Sequence, residues 1–208
     1  PDDCYSGFCV TTGDGKVCTS TCDSSCPEGW RCADVTGGGG DITYICVPLY
    51  TNLCRPCDSG EDCVQMGGTG GYCVAFADGA GSFCSAQCDQ DESCPAGYTC
   101  EDVSLSEDGT VSQCMPETGI CECNGKAIKE GASTECLVQN EIGACSGTLT
   151  CALDGLGECE GQIPAAEDCN GIDDDCDGII DDITEGECLI ENEFGACPGT
   201  QTCINGGW

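Results

Sequence analysis

With 208 residues, 27 cysteines, no histidine and a formal net charge of −33, the chain lies far from ordinary globular composition. Leu, Ile, Val and Phe supply only 33 residues, too few for one large core, and such a chain stays unfolded unless something besides apolar burial closes it. The five basic residues, Lys16, Arg31, Arg55, Lys126 and Lys129, exclude nucleic acid as a partner because phosphates would go unneutralised.

The cysteines supply the missing closure. Small units that bury little apolar surface are held by disulfides, each contributing roughly 2–4 kcal/mol. The expected fold is therefore small and disulfide-rich: irregular loops and short β-hairpins in a tandem, elongated multi-module array with little helix. Disulfides on this scale imply an extracellular or cell-surface location. Zinc is the competing use of cysteine. Cys54-Arg55-Pro56-Cys57 is the one C-x2-C spacing and no histidine completes a site, so disulfides are favoured. No apolar run reaches the roughly 20 residues of a membrane helix, so no membrane-spanning segment is expected. No signal peptide is recognisable, and the chain reads as the mature part, or a segment, of something longer.

Taken in order, the first 123 residues read as two copies of one module, 1–57 and 58–123, the first incomplete at its N-terminal side. Ser25-Cys26-Pro27-Glu28-Gly29-Trp30-Arg31-Cys32 returns 68 residues later as Ser93-Cys94-Pro95-Ala96-Gly97-Tyr98-Thr99-Cys100. Gly7-Phe8-Cys9-Val10 returns as Gly71-Tyr72-Cys73-Val74, and Asp3-Cys4 as Asp62-Cys63. Phe8-Cys9-Val10 and Tyr44-Ile45-Cys46-Val47 read as brief strands, with turns at Gly13-Asp14-Gly15 and Gly37 to Gly40. Trp30 and Tyr98, at equivalent places, are expected to plug each module's small core; an aromatic platform for carbohydrate is the alternative. Each module has nine cysteines, so bridges across the boundary or a different boundary are required.

A second repeat follows, as units 124–187 and 188–208. Glu135-Cys136-Leu137-Val138-Gln139-Asn140-Glu141-Ile142-Gly143-Ala144-Cys145 returns 52 residues on as Glu187-Cys188-Leu189-Ile190-Glu191-Asn192-Glu193-Phe194-Gly195-Ala196-Cys197. Cys136, Cys145, Cys151, Cys159, Cys169 and Cys176 make an even six, whose pairing spacing alone does not decide. The second unit shows only its first three cysteines.

Within the first of these units lies Cys169-Asn170-Gly171-Ile172-Asp173-Asp174-Asp175-Cys176-Asp177-Gly178-Ile179-Ile180-Asp181-Asp182. The alternation Asp173-x-Asp175-x-Asp177-Gly178 is how a loop wraps oxygens around a hard cation. Carboxylates at positions 1, 3 and 5 converge, glycine at 6 permits the bend, and the carbonyl at 7, here Ile179, adds an oxygen. Position 9 is Asp181, beside Asp182. Position 12, a glutamate in an EF-hand, is Thr184, so the loop begins like an EF-hand and ends differently. The metal site is expected at Asp173, Asp175, Asp177, Ile179 through its carbonyl, Asp181 and Asp182. Calcium (Ca2+) is the expected ion, because an all-oxygen set of irregular number suits it, with affinity on the order of 10⁻⁴–10⁻³ M. A solvated acidic turn is the metal-free alternative.

The Asp-rich core, followed by Asp181-Asp182 and accompanied by Asn-Glu-x-Gly-x-Cys-x-Gly-Thr-x-Thr-Cys, resembles the MopE-type metal-binding repeat of secreted and outer-surface bacterial proteins. The resemblance covers about residues 119–208. It implies a surface location and metal capture, copper for one member. Here histidine is absent and Met66 and Met115 lie away from the motif, which favours calcium over copper.

Catalysis has little support: without histidine there is no Ser-His or Cys-His pair. Asp58-Ser59-Gly60 is similar to the aspartic-protease triplet but has no second copy. The expectation is a non-enzymatic, extracellular structural protein: a calcium-binding repeat segment of a surface fibre or filament, assembled with copies of itself. The alternative is a metal-binding, adhesin or stalk module of a larger secreted protein. There is no Asn-x-Ser/Thr sequon, while the many Thr and Ser residues leave room for O-linked glycans.

Overall fold

The computed structural model describes residues 4–12, 15–36, 42–64, 71–89, 94–105, 109–183 and 185–208. The turns expected at Gly13-Asp14 and at Gly37 to Gly40, together with Met66 and Thr184, lie outside these. The chain divides into two units, Pro1–Glu135 with Leu149–Glu158, and Cys136–Thr148 with Cys159–Trp208.

The fold is the disulfide-rich, hairpin-based architecture that the composition requires. Twelve disulfides form, and antiparallel hairpins carry the backbone hydrogen bonding. In the first unit β1 (Phe8–Thr12) pairs with β2 (Gly15–Thr19), and β3 (Trp30–Thr36) with β4 (Ile42–Pro48). Next come β5 (Cys73–Ala75) with β6 (Ser82–Cys84), and β7 (Tyr98–Leu105) with β8 (Gly109–Pro116).

The two module copies repeat their bridges as well as their sequence. Cys4–Cys18, Cys22–Cys32 and Cys26–Cys46 correspond to Cys63–Cys84, Cys88–Cys100 and Cys94–Cys114. Two further bonds, Cys54–Cys121 and Cys57–Cys73, cross the expected boundary between residues 57 and 58. Cys9, the counterpart of the bridged Cys73, is one of three free thiols; the others are Cys188 and Cys197.

Apolar packing is local, as the scarcity of large aliphatic residues dictates. Trp30, with Phe8 and Val35, packs on buried Val10, Ala33, Ile45 and Val47. Tyr98, with Phe76 and Leu156, packs on Phe83 and the Cys54–Cys121 bridge, and Phe76 meets Phe83 edge to face at 5.2 Å. The equivalent aromatics thus each plug one module. A buried polar group completes the second plug. Thr134 Oγ1 donates to Cys57 O and accepts from Ser82 N, both at 3.1 Å.

Among the described residues one short α-helix forms where the sequence showed no helical periodicity. α1 (Gly125–Glu130) is defined by its ends: Asn124 Oδ1 accepts from Ala127 N at 2.8 Å, and Gly131 closes it at φ 60°. The Asn124 amide also donates to Thr51 O and Leu53 O, and Lys126 Nζ donates to Asn52 Oδ1. The capping residue therefore anchors the helix to the preceding segment.

β9 (Ser133–Gln139) pairs with β10 (Ala144–Ala152), and the two-residue strands β11 (Gly155–Leu156) and β12 (Glu160–Gly161) add to β10. β13 (Glu185–Asn192) and β14 (Gly195–Thr202) form the repeat of that hairpin in perfect antiparallel register, from Glu185↔Thr202 to Asn192↔Gly195. In the second unit Cys136–Cys159 and Cys145–Cys176 hold residues 159–176 against the first hairpin, while Cys169–Cys203 reaches the second.

Candidate metal centre

Two bridges fix the Asp-rich loop before any ion is considered. Cys169 is tied to Cys203 and Cys176 to Cys145, so each end of the stretch that holds Asp173 to Asp175 is covalently anchored. Between the staples the loop folds on its own amides. Asp173 Oδ1 accepts from Asp177 N at 3.1 Å and Oδ2 from Gly178 N at 2.9 Å. Asp175 Oδ1 accepts from Asp177 N at 3.1 Å, and Asp177 Oδ1 from Ile179 N at 2.8 Å. The bend relies on left-handed backbone at Cys176 (φ 61°) and Gly178 (φ 96°). Gly178 is the glycine that the alternate-aspartate pattern places at the turn.

The carboxylates that converge are Glu167, Asp173 and Asp175, one ligand oxygen of each lying within 4.8 Å of the others. That spacing suits a single hard cation, since oxygens bound at about 2.3–2.6 Å lie at most about 5 Å apart. Glu167 arrives from the segment that wraps the loop. Its Oε1 accepts from Asp174 N at 2.6 Å and Asp175 N at 3.2 Å. Its other oxygen, Oε2, is buried with no hydrogen-bond partner. A buried, unpartnered carboxylate oxygen is unfavourable by roughly 1–3 kcal/mol or more, and a coordinated cation relieves that cost.

Of the other expected carboxylates, Asp177, Asp181 and Asp182 are not members of this three-residue group. Asp177 and Ile179 are exposed, as is Asp182. Asp181 Oδ1 accepts from Asn170 N and Gly171 N, both at 2.9 Å, and so caps the start of the loop. Asp174, outside the alternating pattern, is likewise structural: its Oδ2 accepts from Asp168 N and Asn170 Nδ2. Glu167 precedes Cys169 and lies outside the alternate-aspartate pattern, so the spacing of the loop carries no signal for it.

Four other groups place cysteines close together: Cys22, Cys26 and Cys46; Cys57, Cys63 and Cys84; Cys88, Cys94 and Cys100; and Cys169 and Cys203 with Asp181. Every sulfur in them is already in a disulfide. The thiolate is the metal ligand, so in this oxidised form those groups are closed to metal. The all-oxygen group retains free donors. So many disulfides fit an oxidising, non-cytoplasmic environment, and no helix among the described residues is long and apolar enough to cross a membrane.

Searches of protein-family models, curated proteins and solved structures found no match to this chain.

Proposed function

We propose that this chain is a non-enzymatic, metal-binding module of a larger secreted or surface protein, and that its ion is calcium. The observation that carries the reading is the buried, partnerless Oε2 of Glu167 beside Asp173 and Asp175. Hard carboxylate oxygens of irregular number favour calcium over the strict octahedron of magnesium and over soft-ligand copper. Asp177, the Ile179 carbonyl, Asp181, Asp182 or water complete the shell in this reading. The resemblance to the MopE-type repeat supports metal capture in the same loop.

Calorimetric titration of the whole oxidised chain with calcium, magnesium and copper tests this, with Glu167→Gln as the control. The glutamine keeps an acceptor for the Asp174 and Asp175 amides, so the loop fold survives while the charge is lost. Calcium heat that disappears in the variant is the expected result. Equal heats from both proteins would refute the assignment.

A structural role in a fibre is the second reading. What favours it is that bridges join successive sequence repeats, Cys57–Cys73 in the first unit and Cys169–Cys203 in the second. Chains of this kind gain length by adding local units. Electron microscopy of native material separates the readings: regular filaments for the fibre, isolated chains for the module.

A further inference from the structure

The two repeated hairpins have the same sequence pattern and different surroundings. On β9–β10 the inward positions Cys136 and Cys145 are buried, at 4 % and 1 % exposure. The segment carrying Cys159 and Cys176 covers them and bonds to both. Their counterparts on β13–β14, Cys188 and Cys197, are free thiols, and Cys197 is exposed. Ile190, the counterpart of Val138, is 63 % exposed.

The bare hairpin keeps the features that the covering segment requires. At Gly147 a Cβ would lie 2.7 Å from Cys159 Sγ and 2.8 Å from Glu160 O, so only glycine lets β12 cross there. Gly199 holds the same place on β14, yet a Cβ there would meet only Cys188 Sγ at 3.1 Å and Ile190 Cδ1 at 3.9 Å. Its φ gives no reason for glycine either, since no left-handed value is found there. Asn140 Oδ1 accepts from Ile142 N, and its Nδ2 donates to Pro164 O at 2.6 Å, docking the cover. Asn192 Oδ1 accepts from Phe194 N in the same way, which orients its Nδ2 for an equivalent carbonyl.

We infer that β13–β14 is a docking face for a further segment of the same kind as residues 159–176, covalently held through Cys188 and Cys197. The occupant is an extended, proline-containing acidic segment with two cysteines spaced as Cys159 and Cys176 are. The first would bond Cys188 and the second Cys197. As on the first hairpin, where both bonds are made within one chain at separations of 23 and 31 residues, the occupant is a segment of the same polypeptide with its cysteines at like distances beyond Cys188 and Cys197. Sheet pairing alongside Gly199 and the Asn192 amide would set its register. The inference does not depend on what ion the Asp-rich loop holds.

Native protein alkylated without reductant, digested and mapped by mass spectrometry tests it. Cys188 and Cys197 should be unalkylated, both linked to one peptide that has the stated cysteine spacing and lies outside residues 1–208. Because the occupant continues the same polypeptide, reduction should release no second chain from the undigested protein, and release of a separate chain would overturn the inference. Alkylation of either thiol, a Cys188–Cys197 bond, or attachment to a peptide without that spacing would overturn the inference. As a second measurement, Gly199→Val should abolish the Cys188 linkage while leaving Cys169–Cys203 intact. Full Cys188 linkage in that variant would also overturn it.

Discussion

The Tyr98 hydroxyl lies 3.2 Å from Cys54 Sγ, the sulfur bonded to Cys121. An aromatic plug and a long-range bridge therefore stabilise one another. Burial first, and the Glu122 carboxylate second, raise the Tyr98 pKa above its ordinary value of 10.0. A raised folded pKa means that the neutral phenol is favoured by folding. Its contribution is complete below the unfolded value and fades as pH climbs through the folded one. Urea midpoints with blocked thiols should thus fall above pH 10 in the native protein, and fall less in Tyr98→Phe. At pH 7 the variant should differ by under about 1 kcal/mol, since a hydroxyl–sulfur contact is weak.

Asp62 gives the opposite dependence. The backbone amides of Asp58 and Ser59 donate to its Oδ2, each at 3.1 Å, and these bonds, ahead of the more distant Arg55, hold its pKa below 3.8. The stabilisation is present above the unfolded value and disappears as pH drops through the depressed one. Asp62→Asn should therefore be less stable than the native chain at pH 7, with the gap closing in acid. A gap that persists unchanged in acid would show that charge is not the cause.

The Cys54–Cys121 bridge closes 67 residues and Cys22–Cys32 only 10. By loop-closure entropy, replacing both cysteines of the first pair with alanine should cost about 4 kcal/mol, against about 3 for the second. Denaturation midpoints of the two double variants check the order, which would reverse if the shorter bridge were the more stabilising.

Thr134 is 3 % exposed and satisfies both Cys57 O and Ser82 N. Thr134→Val preserves shape and removes both bonds, so it should destabilise by about 1–3 kcal/mol. Thr134→Ser, which retains the hydroxyl, should lose less.

Calcium at 10 mM should raise stability by about 1.4–2.7 kcal/mol if its affinity lies in the extracellular range of roughly 10⁻⁴–10⁻³ M. Thermal melts with calcium and with chelator measure the difference, and Glu167→Gln should abolish it. An equal calcium shift in native and variant chains would place the ion elsewhere.

Cysteine spacing made much of this fold legible in advance. Recurrence of Cys26-Pro27 to Cys32 as Cys94-Pro95 to Cys100 announced the two equivalent modules, and Trp30 and Tyr98 identified their plugs. The alternate aspartates singled out the loop in which Asp173 and Asp175 lie beside Glu167. Two things were hidden. Nine cysteines per module required a bridge across the boundary or a different boundary, but which partners Cys54 and Cys57 take, Cys121 and Cys73, is a three-dimensional choice that spacing leaves open. Glu167 reaches the cluster because the chain doubles back: Ala165 N donates to Asp174 O at 2.9 Å, and Gln162 Nε2 to Asp173 O at 2.7 Å. Such a return leaves no periodic trace in the residues themselves.

The Cys169–Cys203 bond spans 34 residues, including the Asp-rich loop and the whole of the last hairpin. A protease cutting once anywhere in that stretch would therefore liberate no fragment. Both new ends would stay on one covalent molecule, and the nick would show on a gel only after a reductant was added. Damage there is tolerated as a hidden scar, and the molecule keeps its full mass.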